Sequence, residues 1–120
     1  MHCVFVKHYL NQAGMEFFTK KWFPAVKEAI KEQPGFIDIT SKKDSQNLKL
    51  VHITLRFEDQ ATLLAWAATE RHDELVDNLD DYRVQEWEFS AIDVNDEECV
   101  HSSSDLLKWQ SVIPKTIVYY

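Results

Sequence analysis

The spacing of apolar residues divides the first three quarters of the chain into six elements of secondary structure. In four segments, apolar residues alternate with polar ones or run together with β-branched and aromatic residues, which is typical of strands. In the two segments between them, apolar residues recur every three or four positions, as on one face of a helix. The predicted strands cover residues 3–9, 36–41, 48–57 and 82–91, and the predicted helical segments cover residues 15–33 and 59–79.

Prolines shape the first helical segment. After a turn over residues 11–14, its apolar positions are Met15, Phe18, Trp22, Val26, Ala29 and Ile30. Pro24 removes a helical hydrogen bond and crowds the preceding turn, so we expect a kink or a restart there. The pair Pro34-Gly35 ends the segment, because proline does not continue the helix easily and glycine allows the chain to reverse.

The second helical segment is predicted as two pieces, because it contains two candidate N-cap residues. Asp59 and Thr69 can each accept a backbone N–H bond at a helix start. Trp66 lies just before the step between the pieces, and the most polar residue of the apolar face is His72. An indole and an imidazole at a helix break suit a small-molecule pocket, although core packing explains them equally well. The predicted buried face consists of Ala61, Leu64, Ala65 and Ala68, then His72, Leu75, Val76 and Leu79.

The order strand, helix, strand, strand, helix, strand predicts an α+β domain of the ferredoxin-like βαββαβ type. In that fold, two helices cover one face of a four-stranded antiparallel sheet. Phe5, Tyr9 and Leu50 fall on the face that the helices leave bare. A face that mixes apolar and polar residues commonly marks an interface, so we expect a homodimer in which two sheets pack together.

Composition and charge narrow the classes of function. With 120 residues, 45% of them hydrophobic, the chain can build one core, and its formal net charge of −7 argues against nucleic acid as a partner. The apolar run at the start is too short for a signal peptide or a membrane span, so we expect a cytoplasmic protein with no membrane partner. Cys3 and Cys99 lack a CxxC spacing, and cytosolic thiols stay reduced.

Residues 93–120 are predicted as an extension of the domain formed by residues 1–92. The extension begins with an acidic run over residues 93–98, which we expect to be a solvated connector. Serines at 102–104 can cap a short helix. The strongly apolar end, residues 117–120, is expected to pack on the domain or on a partner protomer, for example as an added strand.

Three features together resemble a known family: the βαββαβ order, the turn Pro34-Gly35-Phe36 after the first helix, and Trp66 followed by His72 after a strand that ends at Phe57. On these features, residues 1–92 resemble an antibiotic biosynthesis monooxygenase (ABM) domain of the dimeric α/β-barrel superfamily. Such proteins include cofactor-independent oxygenases of electron-rich polycyclic phenols, haem-degrading oxygenases, and isomerase-like or decarboxylase-like relatives. The resemblance therefore implies a fold more directly than it implies one reaction.

The haem-degrading branch of this family uses an Asn from the first strand together with a Trp and a His from the second helical region. Trp66 fits the Trp position, but the Asn position falls near His8 and the position of the haem-ligating His falls nearer Val76. His72 instead matches the histidine after the helix break of ordinary ABM domains. Haem binding is therefore the third hypothesis, and an unshifted Soret band in a titration with haemin would eliminate it.

His72 is the candidate catalytic residue. A cofactor-free oxygenase needs a base to form a phenolate, and the pKa of imidazole ordinarily lies near working pH. The candidate substrate-binding residues are Trp66, Trp22, Phe18 and His8, of which the first three could stack on a flat ring. A single histidine on an apolar stripe is nevertheless more often a core or interface residue, and the tryptophans are likewise more often core.

Other kinds of site are disfavoured. His8, His52 and His72 have no metal-binding spacing, and we expect neither a metal nor a cofactor. Arg56 and Arg83 could neutralise an anionic substrate, but arginines at strand ends are more often solvated or paired with carboxylates. The chain has no GxSxG motif, and its two glycines are too few for a phosphate-binding loop.

The leading hypothesis is a dimeric ABM-like monooxygenase whose cleft between helices and sheet binds a small aromatic or polyketide-like molecule. The alternative is a non-catalytic dimeric module for small-molecule binding or assembly, in which Trp22 and Trp66 fill the cleft. An open cleft that His72 reaches favours the first hypothesis, and a filled interior favours the second.

Overall fold

The computed structural model describes residues 1–93, which form four antiparallel strands in the order β2-β3-β1-β4 with the helices packed on one face. This arrangement confirms the predicted α+β, ferredoxin-like fold. The predicted extension beyond Asp93 lies outside the described residues. The elements are β1 (His2–Leu10), α1 (Gln12–Phe17), a π-helical turn (Phe18–Trp22), α2 (Phe23–Ile30), β2 (Phe36–Lys43), β3 (Leu50–Phe57), α3 (Gln60–Ala67), α4 (Glu70–Asp77), a 3₁₀ turn (Asp80–Tyr82) and β4 (Arg83–Asp93).

The first helical segment restarts close to Pro24, as predicted, and the restart takes the form of a π-helical turn. The Phe23 N–H donates to the Phe18 carbonyl, five residues earlier, and Pro24 then lies in the first turn of α2. A proline ring would crowd the carbonyl four residues before it, so the wider turn relieves the contact. The turn also directs both Phe18 and Trp22 into the core.

The predicted turn over residues 11–14 is instead the first turn of α1. Asn11 caps this helix by accepting the Gly14 N–H at 2.8 Å. A Cβ on Gly14 would come within 2.5 Å of the Tyr82 Cβ, so the absence of a side chain lets α1 pack directly on the 3₁₀ turn. At the other end, Gly35 has a φ of 80°, which allows the predicted reversal into β2.

The prediction of which residues of α3 are buried is wrong. Of its four residues, Ala61, Ala65 and Ala68 are exposed and Leu64 is half-buried, whereas Leu63 and Trp66 are buried. Nearly every residue of α3 is apolar, so periodicity does not define a face. Burial of the leucine and the tryptophan removes far more apolar area from water than burial of alanines would.

Both predicted N-caps are confirmed. At the start of α3 the Asp59 side chain accepts the Thr62 N–H, and at the start of α4 the Thr69 hydroxyl accepts the His72 N–H. The predicted buried face of α4 is also largely confirmed. The buried residues of the continuing stripe are His72, Leu75 and Leu79, and Val76 is half-buried.

The two faces of the sheet hold separate clusters. Val4, Val6 and the alternate residues of β3 join the main core under the helices, while Cys3 and Phe5 form a second cluster on the outer face. Phe5 and Leu50 are already buried within the single chain and Tyr9 is half-buried, so these three residues do not form an open apolar patch. Cys3 is disulfide-bonded, which contradicts the expected reduced thiol, and Cys99 lies outside the described residues. No helix within residues 1–93 is long and apolar enough to cross a membrane.

Candidate functional site

A cluster of aromatic rings surrounds His8 in the layer between the helices and the sheet. His8 projects from β1 with 1% of its surface exposed. Its ring meets Trp22 edge-on at a centroid distance of 5.5 Å and stacks on Trp87 of β4 at 5.8 Å. Since Trp22 comes from the π-helical turn, this cluster joins a helical element to two strands.

Arg83 closes one end of this cluster. Its guanidinium donates from Nε to Asp80 Oδ1 at 2.9 Å, from Nη2 to the Val76 carbonyl at 3.3 Å, and from Nη1 to His8 Nδ1 at 2.9 Å. The guanidinium carbon also lies 5.9 Å from the centre of the Trp87 ring. The arginine thereby ties α4, the 3₁₀ turn, β1 and β4 together at one point.

His8 is uncharged at neutral pH. Burial disfavours the imidazolium, and the positive charge of Arg83 disfavours it further, so the pKa of His8 falls from 6.5 to about 3. A neutral imidazole keeps one nitrogen that donates and one that accepts a hydrogen bond. His8 can therefore bind a polar group of a ligand without carrying charge itself.

Trp22 links the His8 cluster to α4. Its indole Nε1–H donates to the Leu75 carbonyl, one turn beyond His72. Phe18 stacks on Trp22 at 5.2 Å and on Phe23 at 5.5 Å, so the π-helical turn and the first residue of α2 present a row of three aromatic rings.

His72 lies at the step between α3 and α4, against Trp66. The two rings meet edge-on at 5.4 Å, and both residues are buried, with 5% and 2% of their surfaces exposed. The pKa of His72 is lowered by burial, and this effect outweighs the opposing hydrogen bond and charge of Asp73, whose Oδ1 lies 3.4 Å from Nδ1. A neutral imidazole beside an indole can accept a proton from a phenol.

The three histidines considered as metal ligands do not come together. His52 pairs across the strands with Lys7, so it lies on the outer face of the sheet, opposite His8. There it bonds through Nε2 to Asp44 at 2.9 Å. Residues 1–93 contain no group of three side chains placed to hold a metal ion.

The structure thus divides the predicted site residues into two groups. Phe18, Trp22 and His8 are in one cluster, Trp66 and His72 form a second pair, and the bond from Trp22 to Leu75 connects the cluster to the helix of His72. Sequence reasoning missed Trp87 and did not foresee the bond from Arg83 to His8. The signal that could have found Trp87 is its alternation with Phe89 and Ala91, which pack on the main core.

Comparisons with known proteins establish the fold and leave the family open. No family model and no curated protein matches the chain. Among solved structures, an antibiotic biosynthesis monooxygenase is 16% identical with a TM-score of 0.69, over 80% of this chain and 100% of that one. A Streptomyces coelicolor monooxygenase in complex with nanaomycin D is 17% identical with a TM-score of 0.69, over 79% and 88% of the two chains. SnoaB, a cofactor-independent oxygenase of Streptomyces nogalater, is 15% identical with a TM-score of 0.67, over 81% and 96%.

At these identities, the shared feature is the fold. The chain has the fold of ABM-domain structures, as the sequence resemblance implied. The match spans 100%, 88% and 96% of those three chains.

Proposed function

We propose that this protein is a monooxygenase of the ABM type that oxidises a small aromatic or polyketide-like molecule between its helices and its sheet, without a cofactor. The observation that carries the proposal is the buried, neutral His72 against Trp66 in the same layer as the aromatic cluster around His8. The oxygenases that share the fold add support, because one of them is in complex with the ligand nanaomycin D and another is a cofactor-independent oxygenase.

In this proposal His72 removes a proton from a ring hydroxyl. The resulting phenolate is electron-rich and forms a C–O bond to O2 at a ring carbon that bears hydrogen, and the peroxide takes back the proton held by His72. The hydroperoxide then breaks its O–O bond and loses water together with the hydrogen of that carbon, so that one oxygen atom remains as the carbonyl of a quinone and the other leaves as water. The substrate supplies the electrons. Trp66 and Trp22 are packed against the chain's own rings, so the flat ring enters only when these contacts open. The two indoles then stack on the ring, and the apolar surroundings exclude bulk water.

A second candidate function is a binding or assembly module without catalysis. The observation that favours it is the filled interior: Trp22, Trp66 and Phe18 are 4%, 2% and 2% exposed and pack on the chain's own rings. Under this function His72 is a core histidine, and its replacement changes stability without changing any turnover.

Oxygen consumption distinguishes the two functions. With a panel of polycyclic dihydroxy-aromatics in an oxygen electrode, we expect uptake above the uncatalysed rate, and we expect His72→Ala to reduce it at least about tenfold. His72→Gln retains more of the side-chain volume and guards against a simple folding defect. Glu28→Gln, at an exposed position of α2, is the control and should keep full activity. Unchanged uptake in both His72 variants would remove this residue from the mechanism.

We also propose that the protein forms a homodimer through the outer face of the sheet. The support is the mixed composition of this face, where the half-buried Tyr9 and the polar His52 and Glu88 lie near Phe5. Faces that mix apolar and polar residues commonly mark an interface. Light scattering at micromolar concentration should give twice the monomer mass, and a monomer mass would reject the dimer.

A further inference from the structure

We infer that Arg83 is a positioning residue that holds His8 in the neutral tautomer with its proton on Nε2, so that His8 meets a bound molecule as a hydrogen-bond donor. The first part of this inference concerns the free protein. The second part rests on the proposed function, because it requires a ligand in the layer between helices and sheet.

The tautomer follows from the chemistry of the contact. Arg83 Nη1 and His8 Nδ1 are 2.9 Å apart, which is a hydrogen-bond distance. A guanidinium has five N–H donors and no acceptor, so Nδ1 must be the acceptor and cannot carry a proton. A neutral imidazole has one ring proton, which therefore resides on Nε2.

The arginine is fixed strongly enough to impose this choice. Asp80 and the Val76 carbonyl accept from two other guanidinium nitrogens, and the Trp87 ring lies beneath the group. The Arg83 side chain is 11% exposed, whereas that of Asp80 is 60% exposed. The planar fork of arginine satisfies three acceptors at once, which a lysine ammonium on a flexible stem does not reproduce.

The surroundings of His8 contribute no opposing charge. The rings that touch the imidazole belong to Trp22 from the π-helical turn and to Trp87 from β4, and neither is ionisable at ordinary pH. Arg83 supplies the charge that acts on His8, and together with burial it lowers the pKa of the imidazole far below neutrality. His8 therefore remains an uncharged donor throughout the physiological range.

This assignment gives the two histidines different tasks. Burial lowers the pKa of His72 and the carboxylate neighbour Asp73 partly offsets this effect, whereas at His8 the arginine lowers the pKa further. A donor at His8 selects ligands that place an acceptor oxygen there, such as a quinone carbonyl or a phenolate. A flat hydrocarbon without oxygen would gain only the stacking contacts.

The tautomer can be measured without any ligand. Long-range proton–nitrogen correlation spectra of protein with nitrogen-15-labelled histidine, recorded at pH 7, report which ring nitrogen carries the proton. We expect Nε2 of His8 to be protonated in the wild-type protein. In Arg83→Met we expect loss of this preference, with a mixture of tautomers or a shift to Nδ1–H, and a His8 pKa that moves up toward its usual value. Arg71→Met, which removes an exposed arginine from α4, is the control and should leave the His8 signals unchanged.

Two results would overturn the inference. One is a wild-type spectrum in which Nδ1 of His8 carries the proton, and this result does not depend on whether any variant folds. The other is an unchanged His8 pattern in a folded Arg83→Met protein. Because the spectra contain no substrate, they decide the role of Arg83 even if the protein proves to have no oxygenase activity.

Discussion

Trp22→Ala is expected to lower the free energy of unfolding by about 3–5 kcal/mol, the range typical of large aromatic residues removed from a core. The side chain is 4% exposed and contacts Phe18 and His8, so its removal leaves a cavity between the π-helical turn and the sheet. It also leaves the Leu75 carbonyl without the indole N–H that satisfies it. One loss weakens the packing of the π-helical turn on the sheet and the other weakens its bond to α4, so this variant should be among the most destabilised in the domain.

Two further variants separate these losses. Trp22→Phe keeps a ring but removes the N–H, and should cost about 1–3 kcal/mol, as for a buried acceptor left unpaired. Leu48→Ala is the control, because Leu48 is an apolar residue that is 88% exposed, and it should change stability by no more than about 0.5 kcal/mol. Urea denaturation followed by circular dichroism gives all three values. A Trp22→Ala protein as stable as Leu48→Ala would contradict the packing described for this layer.

Stability is expected to fall as the pH is lowered from 6.5 to 4.5. The unfolded chain protonates its histidines near pH 6.5, whereas the pKa of His8 in the folded protein is about 3 and that of His72 is also lowered. The unfolded state therefore binds more protons in this range. The stability that comes from these uncharged histidines is fully present above pH 6.5. It is lost progressively as the pH falls toward their pKa values in the folded protein. Each such histidine contributes at most about 1.4 kcal/mol per pH unit.

Denaturation curves of histidine variants at several pH values test this dependence. His8→Gln should flatten the decline between pH 6.5 and 4.5 more than His72→Gln, because His8 is more deeply buried and has the positive neighbour Arg83. The pKa values of the Asp44 and Asp59 carboxyls are also lowered, but their effect belongs to more acidic solutions, where unfolded carboxylates protonate. A wild-type stability that is constant over this range would show that His8 is accessible to protons in the folded protein.

The order of elements could be predicted because local patterns determine it. Strand alternation, the caps at Asp59 and Thr69, and the reversal at Gly35 each depend on a few neighbouring residues, and all three agree with the structure. The orientation of α3 could not be predicted, since a helix apolar on all sides is oriented by the side chains that it meets. The π-helical turn before Pro24 could not be predicted either, because it depends on how the backbone relieves the contact between the proline ring and the carbonyl four residues earlier.

The site was predictable to a similar extent. Trp66 and His72 are close in sequence, and a helix step brings them into contact. The partners of His8 come from distant segments. Register shifts in the pairing of β1 with β4, after Lys7 and after Tyr9, help to set which β4 residues meet His8. Such shifts have no signature in the alternation of β4, so the contacts with Trp87 and Arg83 emerged only from the folded chain.

Under the proposed function, a flat aromatic molecule binds between the helices and the sheet. A titration of the protein with a polycyclic phenol, followed through the indole N–H resonances of its tryptophans, tests this binding. We expect saturable shifts in the resonances of Trp22 and Trp66, which lie beside the two candidate histidines. Resonances of both residues that remain unchanged up to the solubility limit of each phenol in the panel would contradict it.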